Sequence, residues 1–322
     1  MSVPFRLLGR RCCVRGVILA QMRRKPLVYM NRRLPFAVIL AVVASGLACA
    51  RSEGPTAPSP TVSSGPISYT AIGASDGIGV GSSAVCIPLA PDCIDGRGYV
   101  QSLARSLKAT GREFSWRNLS LPGAVLSRAI EDLARDIGTP IESLAGNFIE
   151  RQAPFVPTNT THVTIFAGGN DANVIGRAAR TGRGGSDVNG YVDAQVRQWG
   201  ADLEDLVTRV RSRAPNARIV ALNMINLAGA PYLASNPIVE KSLMQRVAVG
   251  ISDRVNALTS RSVLVVDLMC DARLYLTSSY ASDGFHPGDA GYAVLAELAW
   301  PALSSGTASP PNPSCPQRRL FP

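Results

Sequence analysis

The chain has 322 residues, 46% of them hydrophobic, so it is long enough to bury one or two cores. Its formal net charge is +10, but nine of its lysines and arginines and none of its acidic residues lie in residues 1–48. From residue 49 onward, 24 basic residues face 23 acidic ones, a net charge of +1. This balance removes the main support for a nucleic-acid partner, because the basic excess belongs to the N-terminal segment.

The N-terminal segment has the pattern of a targeting signal. The positively charged residues 31–33 precede an apolar run, 34–44, that is too short to span a membrane as a helix. The small residues up to Cys49 then resemble the lipobox of bacterial lipoproteins, although Gly46 stands where that motif usually has leucine. We therefore expect an exported protein whose Cys49 is lipidated and tethers it to the cell envelope. Cleavage near Ala48 without a lipid, giving a secreted or periplasmic protein, and a retained anchor are the alternatives.

The rest of the chain divides by composition. Residues 1–29 precede the signal and are consistent with a start codon assigned too far upstream. Residues 49–66 are rich in proline, serine, threonine and glycine and predict a flexible tether. Residues 67–304 show neither a repeat nor a shift in composition, which indicates one domain. Residues 305–322 form a proline-rich tail that we expect to lie over the surface.

Four cysteines follow Cys49, and an even number in an exported chain favours disulfides. Cys86 with Cys93 is the preferred pair because it closes a short loop, and it leaves Cys270 to pair with Cys315. Four cysteines allow three pairings, so this is a preference. None of them has zinc-ligand spacing, and we expect no metal site.

Apolar runs typical of strands alternate with amphipathic runs typical of helices throughout the predicted domain. The predicted strands are 68–72, 114–119, 162–167, 218–223 and 263–268. The predicted helices are 99–110, 124–137, 191–213, 237–258 and 290–303. Five strands separated by helices indicate a parallel sheet covered on both faces, a three-layer α/β/α sandwich. In such a sheet the turns after the strand ends carry the chemistry.

The turn after the first strand, Gly-Ala-Ser-Asp-Gly-Ile-Gly at 73–79, has two incompatible interpretations. Its glycines could form a loop that cradles the phosphates of a dinucleotide. Alternatively, Ser75 is a nucleophile held on a tight turn, and the glycines only provide room around it.

Only two histidines occur, His162 and His286. His162 opens a predicted strand, and we expect it to be structural. His286 lies in a loop bounded by glycine and proline, three residues after Asp283. A carboxylate at this spacing can accept a hydrogen bond from Nδ1–H and leave Nε2 as a base. The alternative is that Asp283 is a turn residue before the next helix.

Four blocks of the sequence resemble the motifs of the SGNH hydrolases, also called GDSL esterases. They are 73–75, 118–123, 168–171 and 283–287, in the order and approximate spacing of that family. The resemblance covers about residues 67–304. It implies the flavodoxin-like SGNH hydrolase fold and a serine esterase or lipase that cleaves carboxylic esters through an acyl-enzyme intermediate.

Carried onto the matching positions, the resemblance implies that Ser75 is the nucleophile, His286 the general base and Asp283 its orienting partner. The backbone N–H groups of Ser75 and Gly123 and the side-chain amide of Asn170 would form the oxyanion hole. A serine hydroxyl is a poor nucleophile at neutral pH until a base takes its proton, which is why these residue types are needed. No cofactor is implied. The substrate would be a small-molecule, lipid or carbohydrate ester, and we expect a monomer.

The first block departs from the family's usual Gly-Asp-Ser. Ala74 occupies the position of the aspartate, and Asp76 follows the serine. The missing aspartate is not the acid of the triad, so the nucleophile assignment stands. The departure bears on the hydrogen bonding that positions the serine turn, and Asp76 either replaces the missing aspartate there or does not. The alternative function is a non-catalytic surface module that uses the fold for binding, and Ala74 is its only support.

The same stretch also resembles the cofactor loop of short-chain dehydrogenases. That family needs a Tyr-x-x-x-Lys pair, but the residues four before Lys108 and Lys241 are Ala104 and Pro237. The second predicted strand is also followed by no acid for a ribose hydroxyl. An NAD(P)-dependent dehydrogenase is therefore the weakest of the three functions.

Two segments beside the nucleophile turn bear on the substrate. Residues 172–190 contain Arg177, Arg180 and Arg183 among glycines, and we expect a solvated, mobile loop there or, alternatively, a site for an anionic substrate group. Residues 77–98 are expected to overhang the nucleophile and shape the acyl pocket. The pattern leaves the acyl length and the alcohol open.

Overall fold

The computed structural model describes residues 65–86, 93–139 and 146–322. The predicted signal segment, Cys49 and nearly all of the tether lie outside these ranges. Within the described ranges, no helix has the length and apolar character that crossing a membrane requires.

Five parallel strands form the central sheet, in the order β2-β1-β3-β4-β5. They are β1 (Ile67–Ile72), β2 (Phe114–Asn118), β3 (His162–Phe166), β4 (Arg218–Leu222) and β5 (Leu264–Val266). Every residue of β1 and β4 is buried, because these inner strands are covered on both faces. The edge strand β2 instead alternates between half-buried and exposed residues.

Helices cover both faces of this sheet. They are α1 (Ser75–Ile78), α2 (Tyr99–Lys108), α3 (Arg128–Asp136), α4 (Phe148–Arg151), α5 (Gly169–Arg180), α6 (Val188–Arg213), α7 (Ile238–Ala257) and α8 (Asp289–Ser304). One apolar cluster packs α3, α5, α6 and α7 against the sheet, and a second packs α2 and α8 against it. The predicted three-layer α/β/α sandwich is therefore confirmed.

The strand register brings three strand ends together. Near the carboxyl end of β1, Ala71 pairs with Asn118 of β2, and Ile72 pairs with Ile165 of β3. The turns that follow β1, β2 and β3 therefore leave the sheet at one edge, with the β1 turn in the middle.

Two predictions for the segments that follow β2 and β3 are wrong, one of a helix start and one of a loop. The helix predicted from residue 124 begins at Arg128, because Val125 forms a parallel bridge with Asn147 and the Leu126 N–H donates to Asp171. The loop predicted at 172–190 is largely helical, since α5 runs to Arg180.

The mobile-loop prediction failed because apolar side chains in this segment recur at helical spacing. Ala172, Ile175 and Ala179 lie three or four residues apart and are buried against the sheet. Of the three arginines, Arg180 lies 3.8 Å from Glu240, and Arg183 lies 3.9 Å from Asp136.

Both preferred disulfides are present, Cys86–Cys93 and Cys270–Cys315. The second joins the tail to the loop after β5. Beyond it, the tail lies along α7, where Arg318 pairs with Asp253 and the Gln245 side chain bonds to the backbone of residues 320 and 321.

Candidate active site

The first candidate residue, Ser75, opens the one-turn helix α1 directly after β1. It is 5% exposed, so only a small part of the residue reaches solvent. The turn between Ile72 and Ser75 is short and contains Gly73 and Ala74. The side chain of Ser75 is thereby held at the carboxyl edge of the sheet, where the sequence predicts the chemistry.

Polar side chains from distant parts of the chain hold this turn. The Gln152 amide donates to the Gly73 carbonyl at 2.9 Å and accepts from the Gly73 N–H at 3.0 Å. At the far side of the turn, the Gly77 carbonyl accepts from Asn118 at 2.7 Å and from Gln101 at 3.2 Å. Gln152 and Gln101 are buried, so these bonds replace water that the turn cannot reach.

Close packing against the turn after β2 explains why positions 73 and 77 are glycines. A Cβ on Gly77 would overlap the Ser120 side chain, and one on Gly73 would lie 3.0 Å from Ser120 Oγ. The turn after β2 therefore packs closely against the turn after β1, and this approach requires residues without side chains. This explains the glycine spacing that also resembles a dinucleotide loop.

The second candidate, His286, contacts Ser75 directly. His286 Nε2 lies 2.9 Å from Ser75 Oγ, and His286 Nδ1 lies 2.6 Å from Asp283 Oδ2. An ionised carboxylate only accepts hydrogen bonds, so Nδ1 carries the proton and Nε2 is left to accept from the serine hydroxyl. The three side chains form one continuous hydrogen-bond chain.

Asp283 also shapes the loop that carries the histidine. Its Oδ1 accepts from the backbone N–H groups of Phe285 and His286, each at 2.9 Å. Partial burial alone would raise the pKa of the Asp283 carboxyl, but the bonds from the His286 ring and from these two N–H groups outweigh it and lower the pKa. The carboxylate is therefore ionised at neutral pH while it orients the imidazole.

The two further candidates, Gly123 and Asn170, lie on the turns that flank Ser75. Gly123 follows β2 and has a φ of 73°, a conformation that side chains rarely adopt. Asn170 lies in the first turn of α5, after β3, and its amide donates to the Ala124 carbonyl at 2.9 Å. An asparagine amide has two N–H groups, so this bond fixes the side chain and leaves the second N–H for another acceptor.

Asp171 adds a second link between the same two turns, and the sequence prediction missed it. It is 1% exposed, and its Oδ1 accepts from the Leu126 N–H at 2.8 Å. Burial raises the pKa of its carboxyl to about 6, although the Leu126 N–H bond lowers it. Together with the Asn170 bond, this contact fixes the Gly123 turn relative to α5.

The other histidine lies far from this edge. His162 begins β3, at the amino end of the strand, and its Nδ1 lies 2.7 Å from Thr161 Oγ1. Burial lowers the pKa of His162 to about 4, and the positive charges of Arg218 and Arg112 add to the shift. The ring is therefore neutral at pH 7.

Comparison with known proteins identifies the class. A parallel sheet in this order, with the four motif blocks at its carboxyl edge, is the fold of the SGNH hydrolases. The model of the GDSL-like lipase/acylhydrolase family matches residues 68–294, and the chain belongs to that family. The family predicted from the four blocks is confirmed.

Solved structures show the same fold at low identity. The chain is similar to the lipase Lip_vut3 from a goat rumen metagenome, with 17% identity and a TM-score of 0.50 over 74% of this chain and 98% of that one. It is also similar to a candidate GDSL-like lipase from Parabacteroides merdae, with 15% identity and a TM-score of 0.50 over 77% and 100% of the two chains. No curated protein matches the sequence.

Proposed function

We propose that this protein is a serine esterase that cleaves carboxylic esters through an acyl-enzyme intermediate. The observation that carries the proposal is the hydrogen-bond chain from Ser75 Oγ through His286 to Asp283. Membership of the GDSL-like lipase/acylhydrolase family supports hydrolysis of an acyl bond.

The chain of three residues accounts for both halves of the reaction. Ser75 Oγ attacks the ester carbonyl carbon while its proton passes to His286 Nε2, and His286 then gives that proton to the departing alcohol as the C–O bond breaks. The acyl group remains on Ser75. A water molecule then attacks the acyl carbon, gives a proton to His286, and the acid leaves as Ser75 Oγ recovers its proton.

The tetrahedral intermediates of both steps carry a negative oxygen. In the proposed reaction this oxygen accepts from the backbone N–H groups of Ser75 and Gly123 and from the second N–H of Asn170. The loss of one such donor typically costs about 3 kcal/mol, or ~10²-fold in rate. The Asn170 bond to Ala124 supports this role, because it holds the amide still before the substrate arrives.

The test is hydrolysis of p-nitrophenyl acetate and butyrate by the purified protein. Ser75→Ala should lower kcat by about 10⁴-fold or more, because it removes the atom that forms the acyl-enzyme. Ser242→Ala is the control and should keep full activity, because within the described residues its hydroxyl bonds only to the Ile238 carbonyl of its own helix. A fluorophosphonate should label the wild type at Ser75 by mass spectrometry.

Retained hydrolysis in Ser75→Ala would contradict the nucleophile assignment. A wild type that binds esters but turns none over would instead favour the alternative of a non-catalytic binding module. Extending the assay to longer acyl chains and to acetylated sugars would separate the lipase and carbohydrate-esterase forms of the proposal.

We also propose that the protein is exported and held at the cell envelope through Cys49. The charged and apolar pattern before Cys49 supports this, as do the two disulfides, which persist in oxidising compartments. Mass spectrometry of the mature N-terminus is the test. A diacylated cysteine is expected, and an unmodified N-terminal residue after position 49 would exclude the lipid tether.

A further inference from the structure

A small cavity lies behind the reacting residues, under the loop that carries His286. It has a volume of about 60 Å³, and its wall includes Asp76, Gly169, Phe285 and Pro287, which are the chain neighbours of Ser75, Asn170 and His286. The remaining wall is mostly apolar and comes from β3, from the segments after β4 and β5, and from α8. A volume of this size holds a few water molecules.

Among the described residues that line this cavity, Asp76 and Tyr280 are the titratable ones. Burial raises the pKa of the Tyr280 hydroxyl, so Asp76 is the one that can carry a charge near neutral pH. The Asp76 residue is half-buried. Within the described ranges its carboxyl accepts from its own backbone N–H, but it bonds to no other side chain and forms no ion pair. Burial raises the pKa of Asp76, and the positive charge that His286 can carry opposes this shift. A carboxylate in such surroundings is unfavourable unless a nearby charge compensates it.

The serine turn does not need Asp76 for its support. Gln152 holds Gly73, while Asn118 and Gln101 hold Gly77, so the hydrogen bonds of the turn are made by other side chains. Asp76 therefore does not fill the place left by the missing aspartate at position 74. Its position calls for another role.

We propose that Asp76 is a positioning residue that stabilises the protonated form of His286 from the cavity side while Asp283 holds the ring at Nδ1. The inference rests on the proposed ester hydrolysis, in which the imidazole gains a positive charge as Ser75 attacks. The imidazolium then has two carboxylates near it. Asp283 holds it through a hydrogen bond, and Asp76 follows Ser75 in the chain and lines a cavity together with the two residues that flank His286. The mostly apolar walls leave room for only a few water molecules, so they screen this second attraction less than bulk water would.

The other titratable groups around Asp76 leave His286 as its partner. Asp283 repels it, since both carry negative charge. Tyr99 of α2, Tyr292 of α8 and Tyr280 before the histidine loop also interact with it electrostatically. Burial raises the pKa of all three hydroxyls, and the charge of Asp76 adds to each shift, so they stay neutral over the working pH range.

The interaction can be measured without an activity assay, because the chain has only two histidines. In the protein purified without a histidine tag, the ring C–H signals of His162 and His286 are followed by NMR from pH 3.5 to 9. In Asp76→Asn the titration midpoint of His286 should move to lower pH by about half a unit to one unit. The midpoint of His162, at the far end of β3, should not move.

Two further variants control for charge and folding. Asp76→Glu keeps the charge in the cavity, and its His286 midpoint should stay close to the wild type. Asp95→Asn removes an exposed carboxylate and should leave both histidines unchanged. Thermal unfolding of each variant shows that it is folded.

Kinetics then test the consequence. Asp76→Asn should lower kcat for p-nitrophenyl butyrate about three- to tenfold with KM within about twofold, and the acid limb of its pH–rate profile should follow the NMR midpoint. An unchanged His286 midpoint overturns the inference. So does a higher KM at unchanged kcat, which would make Asp76 a substrate contact. A shifted midpoint in a protein without esterase activity would overturn the proposed function but not the Asp76–His286 interaction.

Discussion

The two ends of β3 bury ionisable side chains with opposite shifts. At the amino end, His162 is 7% exposed and burial lowers its pKa to about 4. At the carboxyl end, Asp171 is 1% exposed and burial raises its pKa to about 6. In both cases the dry surroundings favour the neutral form.

The two ends of β3 differ in the groups to which their buried polar atoms form hydrogen bonds. The His162 ring bonds to its chain neighbour Thr161, a local contact. Asp171 and the adjacent Asn170 bond to the backbone of the turn after β2, and so join two turns beside Ser75. Burial of an ionisable group is therefore a poor guide to function in this sheet, and the contacts between turns are a better one.

The largest expected effect on kcat, and the strongest test of this comparison, comes from exchanging each histidine for glutamine. His286→Gln should lower kcat by about 10³-fold or more, because the amide cannot take the proton of Ser75. His162→Gln should change kcat by less than about threefold, since its ring lies at the opposite edge of the sheet. Turnover of p-nitrophenyl butyrate, measured with thermal unfolding of both variants, decides the matter. Equal losses of kcat in two folded variants would contradict the division of the histidines.

A smaller effect on kcat is expected from a substitution that acts only at the carboxyl edge of the sheet. Gln152→Met keeps the size of the side chain but removes both hydrogen bonds to Gly73. It should destabilise the protein by about 1–3 kcal/mol, since the buried Gly73 N–H loses its partner, whereas the Gly73 carbonyl keeps the bond from the Leu121 N–H. It should also lower kcat about tenfold through a less well-placed Ser75.

Gln198→Met is the matched control, because Gln198 is exposed on α6 and bonds only to Asp202 within the described residues. The free energy of unfolding in urea and the kcat of Gln198→Met should both match those of the wild type. If Gln152→Met also matched the wild type in both measurements, the turn would not depend on Gln152.

The sequence predicted the parts of this site that lie on short motifs. Ser75, Asn170 and the Asp283–His286 spacing each follow a predicted strand end, and strand alternation alone placed those ends at one edge. The disulfide pairs followed from loop length and cysteine number. Such features depend on residues close in the chain or on a regular topology.

The contacts that support the serine turn depend neither on residues close in the chain nor on a regular topology. Gln152 and Gly73 are separated by 79 residues, and no local pattern marks a glutamine that will meet a turn. The surroundings of Asp76 come from several elements at once. For α5 the signal was present in the spacing of Ala172, Ile175 and Ala179, but the glycines around them favoured a loop.

The last prediction uses the two ends of β3 directly, through the dependence of stability on pH. The pKa of His162 is lower in the folded protein, at about 4, than its ordinary value of 6.5, so the unfolded chain binds more protons between these values. Its contribution to stability is therefore complete above pH 6.5 and is lost as the pH falls toward 4. For Asp171 the folded pKa of about 6 lies above its ordinary 3.8, so its contribution is complete below pH 3.8 and is lost as the pH rises toward 6.

Between pH 5 and pH 7 the two contributions oppose each other. Over this range His162 should add about 2 kcal/mol to the free energy of unfolding, and Asp171 should remove about 1 kcal/mol. Urea unfolding at both pH values separates them. His162→Gln should make the change from pH 5 to pH 7 less favourable by about 2 kcal/mol, whereas Asp171→Asn, which can still accept from the Leu126 N–H, should make it more favourable by about 1 kcal/mol. If both variants kept the wild-type change, the two ends of β3 would not differ in the way their surroundings imply.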